Sequence, residues 1–419
     1  GRVVISLLFI PMYFKGELFT VYELLGTRFG NHVKMLASSL FVIMRNIADG
    51  IRLLLTAIVL AAVYSAFVPD SNPNTIIIAS ILILGIVMIV FTFYGGMEAV
   101  IWVEVVQLAI YIGGAVAAAW VILNQVDGGL ARVMDLGSEF HKFRFLDFDL
   151  NFTKTFTFWG GLIGGCFLTM STHGTDQYLV QRYLCTNKPS AAATALLSSG
   201  AVVLGQFIGF LFIGVLLFAF YQPFNSPEYA QIGAAGSKLA ATFPFAGGDQ
   251  VFPDFITKHM PTGLSGLVVA AIFAAALSSS LNSIAATAVN DLYKPFAKGK
   301  DDKHFLRIAS ILTVIVGIVQ IAVAIAVKDA GQSALSQALA VAGLINGPIL
   351  GVFLVGTFIK KANQTAALAG MIVSIGVMFY VFKFTPIAFP WYPVIGSLTT
   401  LAVASVASLI TKGAPEQSA

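Results

Sequence analysis

Charge is what this 419-residue chain has least of. Only 11% of its residues are Asp, Glu, Lys or Arg, while 58% are hydrophobic; a soluble globular chain carries about 25% charged residues. That deficit excludes an ordinary soluble domain. Cysteine is nearly absent too. Cys166 and Cys185 are the only two, in or beside one apolar stretch, so no disulfide framework or paired-cysteine metal site is implied. No HExxH, G-x-S-x-G or P-loop pattern occurs, which leaves no enzyme signature and no phosphate cradle for direct ATP drive. The net charge of +4 does not mark a nucleic-acid binder, because the basic residues sit in short connections between apolar runs.

What is present is a succession of apolar runs of roughly 20 residues along the whole length, the mark of an all-α, polytopic membrane protein. The expected spans are 1–14, 35–67, 75–94, 97–124, 156–183, 190–221, 262–293, 305–327, 333–359, 365–383 and 391–411. Two longer loops, 125–155 and 222–261, are mixed in charge and rich in turn residues. Lys15, Arg28 and Lys34, then Arg182 and Lys188, the run Lys294 to Arg307, Lys360 with Lys361, and Lys412 occupy alternate connections. The positive-inside rule puts these in the cytoplasm and both long loops outside. The chain opens GRVVISLLFIPMYF, with no methionine, basic n-region or cleavage site; this reads as the second half of a helix whose beginning is missing, and so as a fragment.

Ionisable and polar groups at membrane depth cost about 2.5–3.5 kcal/mol each for a full charge, so each needs a reason. In FAAALSSSLNSIAATAVNDLY, Ala276, Ser280, Ser283 and Thr287 fall on one helical stripe, flanked by Ser279 and Asn282. Hydroxyl and amide oxygens without a full charge suit a weakly held monovalent cation. Small-xxx-small packing explains the same spacing, and the stretch alone leaves both open. Glu104 and Gln107 share one face inside GGMEAVIWVEVVQLAIYIGGA; a carboxylate there wants a cation, a structural ion pair or a proton. In GGLIGGCFLTMSTHGTDQYLVQRYL, Ser171, Thr172, His173, Gly174, Thr175, Asp176 and Gln177 interrupt the apolar pattern. That predicts an unwound segment between two half-helices, tolerated only where it lines a cavity or is covered by protein. Arg45, Asp49 and Arg52 are spaced for an internal ion-pair ladder, and NGP at 346–348 predicts another helix break.

FTFYGGMEAVIWVEVVQ, TDQYLVQRYL, VFPDFITKHMPTGLSGLVVAAIFAAALSSSLNS and GPILGVFLVGTFIKK, in this order, resemble the sodium/solute symporter family, which includes sodium-coupled glucose, sialic acid, proline, iodide, monocarboxylate and vitamin transporters. The resemblance runs through nearly the whole chain. It implies the LeuT-type fold, a five-plus-five inverted-repeat helix bundle with extra C-terminal helices, working by alternating access as a single transmembrane domain over 1–419. On that plan the first core helix is missing, 1–124 is the rest of repeat one, 156–360 is repeat two, and 365–411 adds further helices. The family's main sodium site, carried over onto LSSSLNS, falls on the Ala276 carbonyl and the Ser279 and Ser280 hydroxyls of the eighth core helix. A second site found in some members maps to Glu104, Ser279, Asn282 and Ser283. Glu104 stands where the family pattern has aspartate and Asn282 where it has serine, which leaves the sodium stoichiometry open.

The pocket aromatics of sugar-carrying relatives are replaced by Ser171, Thr172 and His173, and their sugar-contacting lysine by Val203. With Asp176, Gln177 and Gln337, the first three are the candidate solute-binding residues. The resulting expectation is a sodium-coupled symporter that imports a small organic solute through the plasma membrane, or the inner membrane of a bacterium. Na+ is the coupling ion; no organic cofactor, nucleic acid or obligatory protein partner is implied. The alternatives are a transporter-like solute sensor and a proton-coupled symporter using Glu104.

Overall fold

The computed structural model describes residues 1–15, 18–68, 72–222, 251–277, 280–297, 299–329 and 334–411, without the side chains of 66–67, 96–99, 275–277 and 334–342. Among these residues there is no strand. The elements are α1 (Arg2–Leu8), α2 (Ile10–Tyr13), α3 (Glu23–Phe29), α4 (Asn31–Phe67), α5 (Pro73–Gln125), α6 (Gly129–Glu139), a π-turn (Gly160–Gly164), α7 (Gly165–Gly174), α8 (Gln177–Leu184) and α9 (Pro189–Tyr221). They continue with α10 (Val251–Lys258), α11 (Thr262–Leu277), α12 (Leu281–Thr287), a second π-turn (Ala288–Tyr293), α13 (Asp302–Val327), α14 (Ala334–Phe358), α15 (Gln364–Phe384), a 3-10 turn (Phe389–Trp391) and α16 (Tyr392–Ile410).

Helix starts follow short polar side chains. Asn72 Oδ1 accepts from the N–H groups of Asn74 and Thr75 ahead of α5, where Pro73 occupies the first turn. Asp176, Asp301 and Asn363 cap α8, α13 and α15 in the same way. Among the described residues, seven segments are long and apolar enough to cross a membrane: Asn31–Ser65, Pro73–Gly95, Val100–Gln125, Pro189–Tyr221, Asp302–Val327, Gln364–Phe384 and Phe389–Ile410. Arg2–Tyr13, Thr262–Ala274 and Gly343–Phe358 are shorter apolar helices.

Four expectations need correction. The break between 94 and 97 does not interrupt the helix: α5 runs for 53 residues, about 80 Å at ~1.5 Å per residue. With a hydrocarbon core of about 30 Å, it holds two bilayer-length stretches end to end. The 125–155 loop contains α6, whose Val133 and Leu136 are buried. NGP does not break α14, which continues through Pro348. The run at 171–177 is mostly helical, and only Thr175 and Asp176 leave helical geometry. Most of the 222–261 loop lies outside the described residues.

The chain forms two compact units that interleave in sequence, and each cuts across the two expected repeats. Unit one comprises Gly1–Arg52, Leu146–Gly200 and Ser279–Ala419; unit two comprises Leu53–Phe145 and Ala201–Ser278. In unit one, Gly347 and Gly396 let α14 and α16 approach until a Cβ on Gly396 would stand 2.9 Å from the Gly347 Cα. Phe9, Tyr22, Phe41 and Phe353 form a buried aromatic cluster that fixes α1, the α2–α3 connection and α4 against α14. In unit two, the ends of α5 and α9 pack with α6, α10 and α11 through Ile122, Val133, Leu216, Phe255 and Val268. Large apolar side chains on α5 and α9, among them Ile86, Trp102, Trp120, Phe207 and Leu211, are exposed. In a bilayer these are lipid-facing, since an apolar helix surface needs a partner other than water.

Candidate functional site

The broken helix organises the polar centre of unit one. Two residues out of helical geometry between α7 and α8 leave carbonyls that a bilayer would not solvate. Aromatic hydroxyls reach them: Tyr13 donates to the Gly174 carbonyl, and Tyr22 to the Thr175 carbonyl at 3.1 Å. Gln177 engages the α2–α3 connection with both ends of its amide. Its oxygen accepts from the Val21 N–H at 2.7 Å and its NH2 donates to the Phe19 carbonyl at 3.2 Å. The break is therefore covered by protein.

Its charges are matched from α4. Asp176 Oδ2 lies 3.3 Å from Arg45 Nη1, and Asp49 Oδ2 lies 3.3 Å from Arg45 Nε. Arg52 reaches Asp49 Oδ1, also at 3.3 Å. The expected ladder is present, and it extends to the broken helix. Both carboxylates are buried, so each needs these partners. The Tyr178 ring carries two guanidinium groups, those of Arg45 and Arg182, each 4.1 Å from its centroid.

The serine-rich helix enters this network directly. Ser280, fully buried just ahead of α12, donates its hydroxyl to Asp49 Oδ2. One turn on, Ser283 donates to Gln181 Oε1 of α8 at 2.7 Å. Asn282 is half-buried between them. Of the remaining expected sodium ligands, Ser279 lies outside the described residues. Ala276 lies in α11, and Glu104 is half-buried on α5 in unit two. Gln337 lies in α14, in the part whose side chains are not described.

Among the described side chains, the expected solute-binding residues are engaged within the protein. Ser171 and Thr172 both donate to the Leu168 carbonyl at 2.9 Å. His173 lies between two partners: Arg2 Nη2 is 3.3 Å from its Nε2, and Thr172 Oγ1 is 3.0 Å from its Nδ1. Because Arg2 can only donate, Nε2 accepts and Nδ1 carries the proton, so the imidazole is neutral. Arg2 also donates to the Leu196 carbonyl at 3.1 Å and to Ser199, tying α1, α7 and α9 together.

Sequence reading missed a third buried carboxylate. Asp291, in the π-turn after α12, accepts from Thr20 Oγ1 at 2.9 Å and from Ser38 Oγ at 2.8 Å, with Lys34 Nζ at 3.9 Å. The aspartate was visible in VNDLY. Its partners, separated from it by more than 250 residues, were not.

The comparisons with known proteins fit this architecture. The sequence profile of the sodium:solute symporter family matches residues 1–374. The chain belongs to that family. It is 32% identical over 400 residues to the sodium/sialic acid symporter NanT of Aliivibrio fischeri, covering 94% of this chain and 74% of the relative. It is 29% identical over 411 residues to the sodium/sialic acid symporter SiaT of Proteus mirabilis, covering 95% and 77%. The solved outward-open, substrate-bound structure of a Na+-coupled sialic acid symporter superposes with a TM-score of 0.79 at 27% identity, covering 99% of this chain and 83% of that one. The protein is thus a sodium-coupled symporter of LeuT-type fold, integral to the membrane and crossing it several times, with sodium as its coupling ion.

Proposed function

We propose that this symporter imports an organic anion of the sugar-acid class, with sialic acid the first candidate. The observation that carries this reading is the charge of unit one's polar centre. Four guanidinium groups, those of Arg2, Arg45, Arg52 and Arg182, share it with the two carboxylates Asp49 and Asp176. An excess of arginine around this centre favours an anionic solute over a neutral one. The sialic acid named for both relatives and for the solved structure carries a carboxylate. Ser171, Thr172 and His173, standing where sugar carriers have aromatics, add hydroxyl and imidazole groups for a polar substrate; Asp176, Gln177 and Gln337 complete the set carried over from the family.

Sodium is held, on this reading, by the Ala276 carbonyl and the Ser279 and Ser280 hydroxyls. Glu104, Asn282 and Ser283 are the proposed second set. Two inverted repeats, 1–124 and 156–360, supply the alternation between outward and inward access.

The test is uptake of labelled sialic acid, lactate and glucose into proteoliposomes under an inward sodium gradient, with potassium as control. Sodium-dependent uptake of sialic acid but not of glucose is expected. Uptake of glucose in preference to either acid would overturn the anion assignment.

A further inference from the structure

We infer that Asp49 is a positioning residue for sodium: it fixes the hydroxyl proton of Ser280 and so turns that oxygen's lone pairs toward the ion. The inference rests on the reading that Ser280 is a sodium ligand and names how that ligand is prepared.

A serine hydroxyl has one proton and two lone pairs, and it can rotate. To ligate a cation it must present oxygen, not hydrogen. The carboxylate of Asp49 is buried, held by Arg45 on Oδ2 and Arg52 on Oδ1, and so ionised. A carboxylate in that state only accepts, so Ser280 must donate to it. With its proton fixed on Asp49, the Ser280 oxygen is left with both lone pairs and gains electron density from a charge-assisted bond. Ser283 follows the same pattern one turn away, its proton given to Gln181 Oε1. Packing serines on an apolar helix typically return their protons to their own i−4 carbonyl, as Thr287 does to Ser283 and Thr313 to Ala309. Ser280 and Ser283 instead send theirs to other helices.

Asp49 has a second effect. Arg45 and Arg52 would repel a sodium ion held at Ser280, and the carboxylate between them offsets that repulsion. In Asp49→Asn, Arg45 competes for the single amide oxygen. The amide NH2 then turns to Ser280, which must accept, and a lone pair is lost to the ion.

The experiment titrates sodium against choline at constant ionic strength and follows the thermal midpoint of the purified protein. The midpoint in choline reports the fold, and the sodium-dependent increment reports binding. The variants are Asp49→Asn, Ser280→Ala, their combination, and Asp49→Asn with Arg52→Gln, which keeps the net charge unchanged and guards against loss of folding.

Asp49→Asn is expected to raise the half-saturating sodium concentration on the order of 10–100-fold, with or without Arg52→Gln. Combined with Ser280→Ala it should add nothing beyond Ser280→Ala alone. Half-saturation that moves in Ser280→Ala but not in Asp49→Asn would overturn the positioning role and leave the sodium-site reading standing. An Asp49→Asn effect that persists undiminished without Ser280 would do the same. Unchanged half-saturation in Ser280→Ala would instead remove the sodium-site reading, and the inference with it.

Discussion

Ser283 gives its hydroxyl proton to Gln181 across 2.7 Å, and that bond joins the serine-rich helix to the second half of the broken one. Ser283 is 1% exposed, so removing its hydroxyl leaves the Gln181 oxygen without a donor where water is scarce. Ser283→Ala should cost about 1–3 kcal/mol, and adding Gln181→Leu should recover part of it, because removing both partners costs less than orphaning one. Thermal midpoints in choline measure this. A double variant less stable than either single one would refute it.

Asp176 does two jobs that one substitution separates. It caps α8 by accepting from the Tyr178 N–H at 2.9 Å, and it holds Arg45 at 3.3 Å. Asparagine caps as well as aspartate but cannot pair with a guanidinium. Asp176→Asn should therefore show the cost of breaking a buried pair, about 3–5 kcal/mol. The same change at Asp301, an exposed cap outside the membrane-length helix, should stay within about 0.5 kcal/mol. A loss at Asp176 no larger than that at Asp301 would show that the pair with Arg45 contributes little to stability.

Helix contacts without side chains give a matched pair of glycine substitutions. A Cβ on Gly396 would lie 2.9 Å from the Gly347 Cα, whereas one on Gly376 of α15 meets nothing within 4 Å. Gly396→Ala forces α14 and α16 apart and should destabilise by about 1–3 kcal/mol. Gly376→Ala should be neutral or stabilising by up to about 1 kcal/mol through reduced chain entropy. Equal effects would show that α14 and α16 have room to separate.

Much of this architecture was legible beforehand because lipid makes helices obligatory and apolar runs conspicuous. The ladder Arg45–Asp49–Arg52 followed from spacing on one helix, and the break near Asp176 from a cluster of small and polar residues. Its width was misjudged. Ser171 and Thr172 return their protons to their own helix at the Leu168 carbonyl, so residues that look like helix breakers are satisfied without breaking it. What sequence could not show was pairing at a distance: Asp291 with Thr20 and Ser38, Arg2 with His173, Ser280 with Asp49. Each depends on which helix faces which. Local pattern does not encode that.

Stoichiometry is where the proposed anion and the proposed second sodium set meet. A monoanion carried with one sodium ion moves no net charge, so the membrane potential contributes nothing. With two sodium ions one positive charge crosses, and each 100 mV adds about 2.3 kcal/mol to the drive. A sialic-acid pulse on proteoliposomes bearing the wild-type protein should give an inward current, with a sodium Hill coefficient above one. Glu104→Gln removes the only full negative charge in the proposed second set while keeping its shape. It should abolish the current, lower the Hill coefficient toward one, and leave electroneutral uptake in place. Current and Hill coefficient both unchanged would free Glu104 from any sodium role. A wild-type protein that takes up the acid without current would place a single sodium ion in the cycle, and the serine-rich helix would then be its sole proposed carrier.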